Sequence, residues 1–181
     1  MRITTRQAIA FRLARHHLDS RAPARNLVTV ASDVCGIQAQ LMSAAYIALW
    51  ARIEHLSSEA IEDSIARKRT LVKTWAMRGT VHLLATTDLM VYLGGLLRGG
   101  LRSHDQWLAR KGIGRRSIED LITAIGRLLG HGPLTRKELA EKVHTELGRQ
   151  AAVFVAHPWG DVVKRACTRG VACFGPPRGG E

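Results

Sequence analysis

Residues 70–86, TLVKTWAMRGTVHLLAT, contain the pattern that decides the fold. Two runs rich in β-forming residues, TLVKTWAM and VHLLAT, lie on either side of a short RGT segment. Runs of this kind separated by a glycine-containing turn are typical of a β-hairpin. The sequence therefore predicts two short strands joined by a turn at Gly79.

The segments before this hairpin have the spacing and capping residues of helices. Thr4 and Gln7 form a capping-box pair at the start of one segment, and Ser58 opens another that has acidic residues in its first turn. Between them, apolar residues recur at helical spacing after Asn26 and again after Ser43, each of which can cap a helix. Helices followed by a hairpin are the order of elements in a winged-helix module.

The same order recurs in the second half of the chain. Helices are predicted over Ser117–Leu129, from Thr135 with Glu138 at the capping-box position, and after Pro158. The final segment, GVACFGPPRGGE, then begins a strand and a Gly/Pro/Arg turn. We therefore expect a mainly α protein with short β-hairpins, built as tandem winged-helix modules of which the second is incomplete at its wing. The predicted domains are 1–86 for the first module, 87–114 for a glycine-rich helical connector, and 115–181 for the second module.

The composition indicates a soluble globular protein, with 46% hydrophobic and 23% charged residues among 181. No apolar run approaches the roughly 20 residues of a membrane helix, and the N-terminus lacks the apolar segment of a signal peptide. We expect a cytoplasmic protein without a membrane partner. The three cysteines form no CxxC pair, and the histidines have no metal-ligand spacing, so we predict neither a metal nor another cofactor.

The net charge of +12 points to nucleic acid as the partner. Residues 1–90 carry 12 Lys/Arg against 7 Asp/Glu, and residues 91–181 carry 15 against 8, so both halves are basic. A distributed basic surface suits double-stranded DNA, because neutralising its phosphates releases counterions. A generally basic proteome or an acidic protein partner is the alternative explanation.

Two neutral amides, Gln38 and Gln40, lie between Gly36, which closes one predicted helix, and Ser43, which opens the next. In a short extended link, residues i and i+2 face the same way, so both amides point to one side while Ile37, Ala39 and Leu41 point into the core. A rigidly mounted amide pair can hold one water molecule or grip one sugar-phosphate unit. Alternatively, the amides satisfy backbone groups at the helix ends.

The segment from Val34 to Leu84 resembles the N-terminal part of the AlkZ/YcaQ superfamily of winged-helix DNA glycosylases. The residues that carry the resemblance are Gln38-Ala39-Gln40, Leu49-Trp50-Ala51-Arg52 and the block Thr74–His82. CFGPPRGGE also resembles the wing of that family's second module, so the likeness runs over almost the whole chain. In the YcaQ branch this motif resembles Gln-x-Asp instead. Gln40 therefore makes this chain more similar to the AlkZ branch.

This resemblance implies a monofunctional enzyme that excises N7-alkylated purines, with the glutamine motif near the centre of a concave DNA-binding body. The AlkZ branch unhooks crosslinks joined through purine N7. Alkylation at N7 gives the purine a positive charge, so the base leaves without a general acid. Gln38 and Gln40 then need only position a water molecule near C1′ and stabilise the positive charge that develops on the sugar. No lysine or N-terminal amine is placed by the sequence to form a Schiff base.

Several further residues are candidates for DNA contact. Thr80 and His82 share one face of a strand and are expected to flank the site, with a purely structural histidine as the alternative. Lys73 and Arg78 on the hairpin and Arg178 on the second wing are candidate phosphate contacts. Arg69 ends the basic run Arg67-Lys68-Arg69, and a run of this kind is more often a solvated face than a specific site.

The chain is shorter than members of the family that it resembles, which have a three-module arrangement. We therefore expect a further C-terminal winged-helix module to be missing. The rival interpretation is a non-catalytic winged-helix DNA-binding protein or an inactive fragment of a glycosylase. A regulator would read bases from an exposed recognition helix, and SAAYIALWARIE is poor in the side chains that read base edges.

Overall fold

The computed structural model describes residues 2–99, 102–158 and 160–177. In this part of the chain it is mostly helical, with one small three-stranded sheet, which confirms the expected mainly α class. The helices are α1 Thr5–Arg15, α2 Leu27–Asp33, α3 Met42–Trp50, α4 Ser58–Ala66, α5 Leu89–Gly99, α6 Arg102–Arg110, α7 Arg115–Gly130, α8 Arg136–Leu147, α9 Arg149–Ala156 and α10 Asp161–Thr168. The strands are β1 Ile37–Gln38, β2 Leu71–Trp75 and β3 Val81–Ala85.

The hairpin predicted at Gly79 is confirmed. β2 and β3 are neighbours in the sheet, whose strand order is β1-β3-β2. β2 and β3 are joined by residues 76–80, in which Arg78 and Gly79 both have positive φ angles, 54° and 71°. β1 pairs antiparallel with β3, so that Ile37 lies opposite Leu83.

The chain groups into two compact units. The first comprises the residues up to Lys73 together with Gly79–Met90, and the second comprises Thr74–Arg78 together with the residues from Val91 onward. The description as tandem winged-helix modules and the division into 1–86, 87–114 and 115–181 stay predictions.

The first unit has its core between α2, α3, α4 and the sheet. Its largest fully buried side chains come from each of these elements and from the link between α3 and α4: Val30, Leu49, Ile53, Ile61, Leu71, Leu83 and Leu84. The predicted capping box of α1 is present, since the Thr4 hydroxyl accepts a hydrogen bond from the Gln7 backbone at 3.2 Å. Ser57, rather than the predicted Ser58, caps α4 through its hydroxyl.

The second unit packs α7 to α10 around a separate apolar core. Its buried side chains include Leu121, Ile125, Leu139, Val143, Val155 and Val162. The predicted capping box of α8 is confirmed: the Thr135 hydroxyl accepts from the Glu138 N–H at 3.2 Å, and the Glu138 carboxylate accepts from the Thr135 N–H at 2.7 Å. Trp75 stacks against Phe174, with ring centroids 4.7 Å apart.

Candidate functional site

The two glutamines lie on a short extended segment between α2 and α3. Gly36 turns the chain with a φ of 88°, and Ile37 and Gln38 then form β1. Ile37 and Ala39 have 5% and 0% of their surface exposed, whereas Gln38 and Gln40 are exposed. The expected alternation is therefore present from residue 37 to residue 40. It anchors the segment in the core and leaves both amides accessible.

This alternation ends one residue earlier than the sequence predicts. The expectation that Leu41 points into the core is wrong, because 69% of its surface is exposed. Leu41 is the N-cap residue of α3, which begins at Met42, so Ser43 is not the cap either. The backbone at Leu41 is still extended, with a φ of −115° and a ψ of 124°, but the chain bends at Gln40 and Leu41 before α3 begins, so the alternation does not continue to residue 41.

Gln40 is bonded to the strand beside it. Its side-chain carbonyl Oε1 accepts a hydrogen bond from the backbone N–H of Val81, the first residue of β3, at 3.3 Å. Since the partner is a donor, the carbonyl and not the NH₂ must face it, which fixes the orientation of the amide. Gln40 thus satisfies a backbone group at a strand end, not at a helix end. Among the described residues, the Gln38 side chain has no hydrogen-bond partner.

Both glutamines line a cleft of about 530 Å³, which we call the glutamine cleft. This volume lies in the range of ligand-binding cavities. α3 and the residues that flank it form a second wall, since the lining residues Leu41, Ala44, Ala48 and Arg52 recur at intervals of three and four. His16, at the C-cap of α1, also lines the cleft. The arrangement places two neutral amides and one cation around a space of nucleotide size.

Arg52 is a site residue to which the sequence analysis assigned no role. Its Nη1 donates to the Ala48 carbonyl at 2.6 Å, which directs the side chain back along α3. Its Nε is buried and has no hydrogen-bond partner. Burial lowers the pKa of the Arg52 guanidinium, which nevertheless remains charged at neutral pH. The only signal in the sequence was its place in the Leu49–Arg52 block of the resemblance.

His82 lies directly opposite Gln38 in the β1–β3 pairing. Directly opposed residues of an antiparallel pair have their side chains on the same face of the sheet. His82 is 3% exposed, and its Nδ1 lies 3.0 Å from the Thr80 carbonyl. Since a carbonyl only accepts, Nδ1 carries the proton of this bond and Nε2 is the other ring nitrogen available for a partner. The roles of Thr80 and His82 at the site stay predictions.

The basic candidates do not line the glutamine cleft in the part of the chain that the structure describes. Arg69 and Arg78 are exposed in turns at the ends of the hairpin strands, each with a φ of 54°. Lys73 is half-buried, and burial lowers the pKa of its ammonium group. Arg178 lies outside the described residues. DNA contact by these four residues stays a prediction.

Two features are absent from the residues that the structure describes. Within residues 2–99, 102–158 and 160–177, no cluster of three His, Cys, Asp or Glu side chains could hold a metal ion. No helix in the same residues is both long enough and apolar enough to cross a membrane.

The sequence and the fold of the chain have counterparts among known proteins. The family model described as "DNA glycosylase AlkZ-like" matches residues 31–181, and the chain belongs to this family. The resemblance read from the sequence is thereby confirmed.

Among its relatives, the chain is 31% identical over 186 residues to the "Interstrand DNA cross-link repair glycosylase" of Streptomyces sahachiroi. That match covers 100% of this chain and 48% of the relative. The solved structure of Streptomyces sahachiroi DNA glycosylase AlkZ is similar with a TM-score of 0.78 and 30% identity, over 99% of this chain and 48% of that one. The chain thus spans about half the length of the relatives it matches.

Proposed function

We propose that the chain is a DNA glycosylase that excises N7-alkylated purines from double-stranded DNA. In this proposal Gln38 and Gln40 position the water molecule that attacks C1′ of the damaged nucleotide. The single observation that carries the proposal is that both exposed amides line one cleft of about 530 Å³ on a rigidly anchored segment. Membership of the AlkZ-like family supports the same reaction class.

The chemistry explains why neutral amides suffice. A purine alkylated at N7 is cationic, so its glycosidic bond breaks without protonation of the base by an acid. Gln38 supplies a carbonyl that can accept a hydrogen bond from water, and Gln40 retains a second lone pair on Oε1 beside the Val81 bond. Oriented amide carbonyls also favour the positive charge that develops on the sugar. Because an amide is a weak base, the enzyme depends on the activated leaving group and spares undamaged purines.

Three extensions follow from the family. The name of the Streptomyces sahachiroi relative refers to cross-link repair, and we propose that this chain likewise unhooks interstrand crosslinks joined through purine N7. We propose that it is monofunctional and leaves the sugar-phosphate strand intact. We also propose that a further winged-helix module completes its grip on DNA.

Release of N7-methylguanine from methylated duplex DNA tests the reaction class. The chain should release the cationic base and leave an intact abasic strand that breaks only after alkali treatment. Undamaged duplex is the matched control, and the Streptomyces sahachiroi relative serves as the comparison enzyme. Strand cleavage without alkali would exclude monofunctional action. If the relative releases the base and this chain does not, the proposed activity of this chain is wrong.

A further inference from the structure

The glutamine cleft contains a positive charge for which the described protein supplies no counter-charge. Arg52 lines the cleft and forms no ion pair with any described carboxylate. Burial alone lowers its pKa, and no neighbouring acid acts in the opposite direction. A partly buried cation is favourable only when it is paired. We therefore expect the ligand of this cleft to supply an anion that pairs with Arg52.

The Arg52 head group is held in place and is left with hydrogen-bond donors. A guanidinium carries five N–H donors in a rigid fork. Nη1 donates to the Ala48 carbonyl at 2.6 Å, Nε has no partner, and the described contacts assign none to Nη2. A fork that is fixed at one nitrogen and unpaired at the others matches the oxygens of a phosphate.

The Arg52 guanidinium is separated along the α3 axis from the amides of Gln38 and Gln40. The Ala48 carbonyl lies six residues after Met42, the first residue of α3. At 1.5 Å per residue, the guanidinium is therefore about 9 Å along the helix axis from the end that follows Gln40. A strand that places a sugar at the glutamines would bring a neighbouring phosphate, rather than the same sugar or its base, to Arg52.

The charge on Arg52 also repels a cationic damaged nucleotide unless it is neutralised. A unit positive charge about 10 Å from that nucleotide, at an effective dielectric constant of about 20, weakens its binding on the order of tenfold. The anions of DNA are its phosphates. Pairing of Arg52 with one of these phosphates removes the repulsion and fixes the position of the damaged strand in the cleft.

We infer that Arg52 binds a backbone phosphate of the damaged strand, within about two nucleotides of the sugar that the glutamines face. The inference rests on the proposed function in one respect, namely that DNA occupies the glutamine cleft. Arg52 then positions the strand, whereas Gln38 and Gln40 act on the water molecule. Leu41, at the N-terminal end of α3, makes the opposite end of this wall of the cleft apolar.

A methylphosphonate scan tests this assignment with the unmodified protein. Each phosphate within two nucleotides of a tetrahydrofuran abasic-site analogue is replaced in turn by a neutral methylphosphonate, and duplex affinity is measured by fluorescence anisotropy. One replacement should weaken binding by about tenfold, the effect of losing a charge-assisted hydrogen bond. Arg52→Gln should weaken binding to the all-phosphate duplex by a similar factor and should be insensitive to that one replacement. Arg25→Gln, an exposed arginine of the same unit that does not line the cleft, should remain fully sensitive.

The outcomes separate this inference from the proposed function, because the duplex analogue cannot be hydrolysed. Coupling between Arg52 and one phosphate, in a protein that releases no base, would support the phosphate site and refute the glycosylase. Base release without such coupling would support the glycosylase and overturn the inference. If Arg52→Gln is misfolded by circular dichroism, Arg52→Met, which is also uncharged, replaces it. A position-specific response that persists in the folded, uncharged variant overturns the inference. Equal sensitivity at all phosphates also overturns it.

Discussion

The side-chain carbonyl of Gln40 accepts a hydrogen bond from the backbone N–H of Val81, 3.3 Å away and 41 residues along the chain. This contact makes the two glutamines of the cleft unequal. Gln40 fastens the segment after β1 to the start of β3, whereas the exposed Gln38 has no hydrogen-bond partner among the described residues. Stability and activity should therefore respond differently to substitution at the two positions.

Gln40→Ala should lower the free energy of unfolding by about 1–3 kcal/mol, because the buried Val81 N–H loses its acceptor. Gln38→Ala should change it by less than about 0.5 kcal/mol, as is usual for exposed positions. Gln40→Glu retains an acceptor oxygen and should be closer to wild type than Gln40→Ala. Chemical denaturation of the three variants measures these differences. Equal destabilisation by the two alanine variants would show that the Val81 contact contributes nothing.

Gly160→Ala should destabilise the second unit by about 1–3 kcal/mol. Gly160 has a φ of +68°, and a Cβ there would lie 2.7 Å from Cη2 of Trp75, inside van der Waals contact. Gly130→Ala is the matched control, since Gly130 ends α7 and a Cβ there meets nothing within 4 Å. The control should leave the melting temperature unchanged or slightly raised. A Gly160→Ala protein as stable as the control would contradict the packing of Trp75 described above.

Cys167 should be inert to thiol reagents at neutral pH, while Cys35 and Cys173 react. Cys35 and Cys173 are exposed, whereas burial raises the pKa of the Cys167 thiol to about 12. The thiolate is the reactive form, so two thiols should be titrated in the native protein and the third only after unfolding. The raised pKa also means that stability falls as the pH rises from about 9 toward 12, because the unfolded thiol then loses its proton first. Three rapidly reacting native thiols would contradict this.

The ion pair between Glu119 and Arg169 should add a small, acid-sensitive contribution to stability. Arg169 donates from Nη2 to Glu119 Oε1 at 2.6 Å and from Nη1 to Oε2, and these bonds lower the pKa of Glu119. Because the pKa of Glu119 is lowered in the folded protein, the ion pair stabilises the fold above the usual glutamate pKa. This stabilisation is lost as the pH falls below that value. Because the Glu119 side chain is 43% exposed, the contribution should stay below about 1 kcal/mol.

The matched pair for that prediction is Glu119→Gln and Glu141→Gln, since Glu141 is exposed on α8 and has no ion pair among those described. Thermal melts at neutral and acidic pH compare the two. The Glu119 variant should be less stable than the control at neutral pH, and the difference should vanish at low pH. A difference that persists in acid would show that packing, not charge, is responsible.

Local chemistry explains which features the sequence could predict. The turn at Gly79 and the cap at Thr135 depend on residues a few positions apart, and both predictions are confirmed. The prediction that Leu41 is buried was wrong because the chain bends at Gln40 and Leu41, just before α3 begins. The burial of Arg52 and the Gln40–Val81 contact depend on tertiary packing, so neither is visible in the spacing of residues.

If Gln38 positions the attacking water, Gln38→Ala should slow base release under single-turnover conditions. The rate of N7-methylguanine release and the duplex affinity are measured with the same protein preparation. We expect a rate lowered by about a hundredfold or more, the range seen when one transition-state contact is removed, with an unchanged melting temperature and Kd. A rate within a few-fold of wild type, or a loss of rate fully explained by weaker binding, would contradict it.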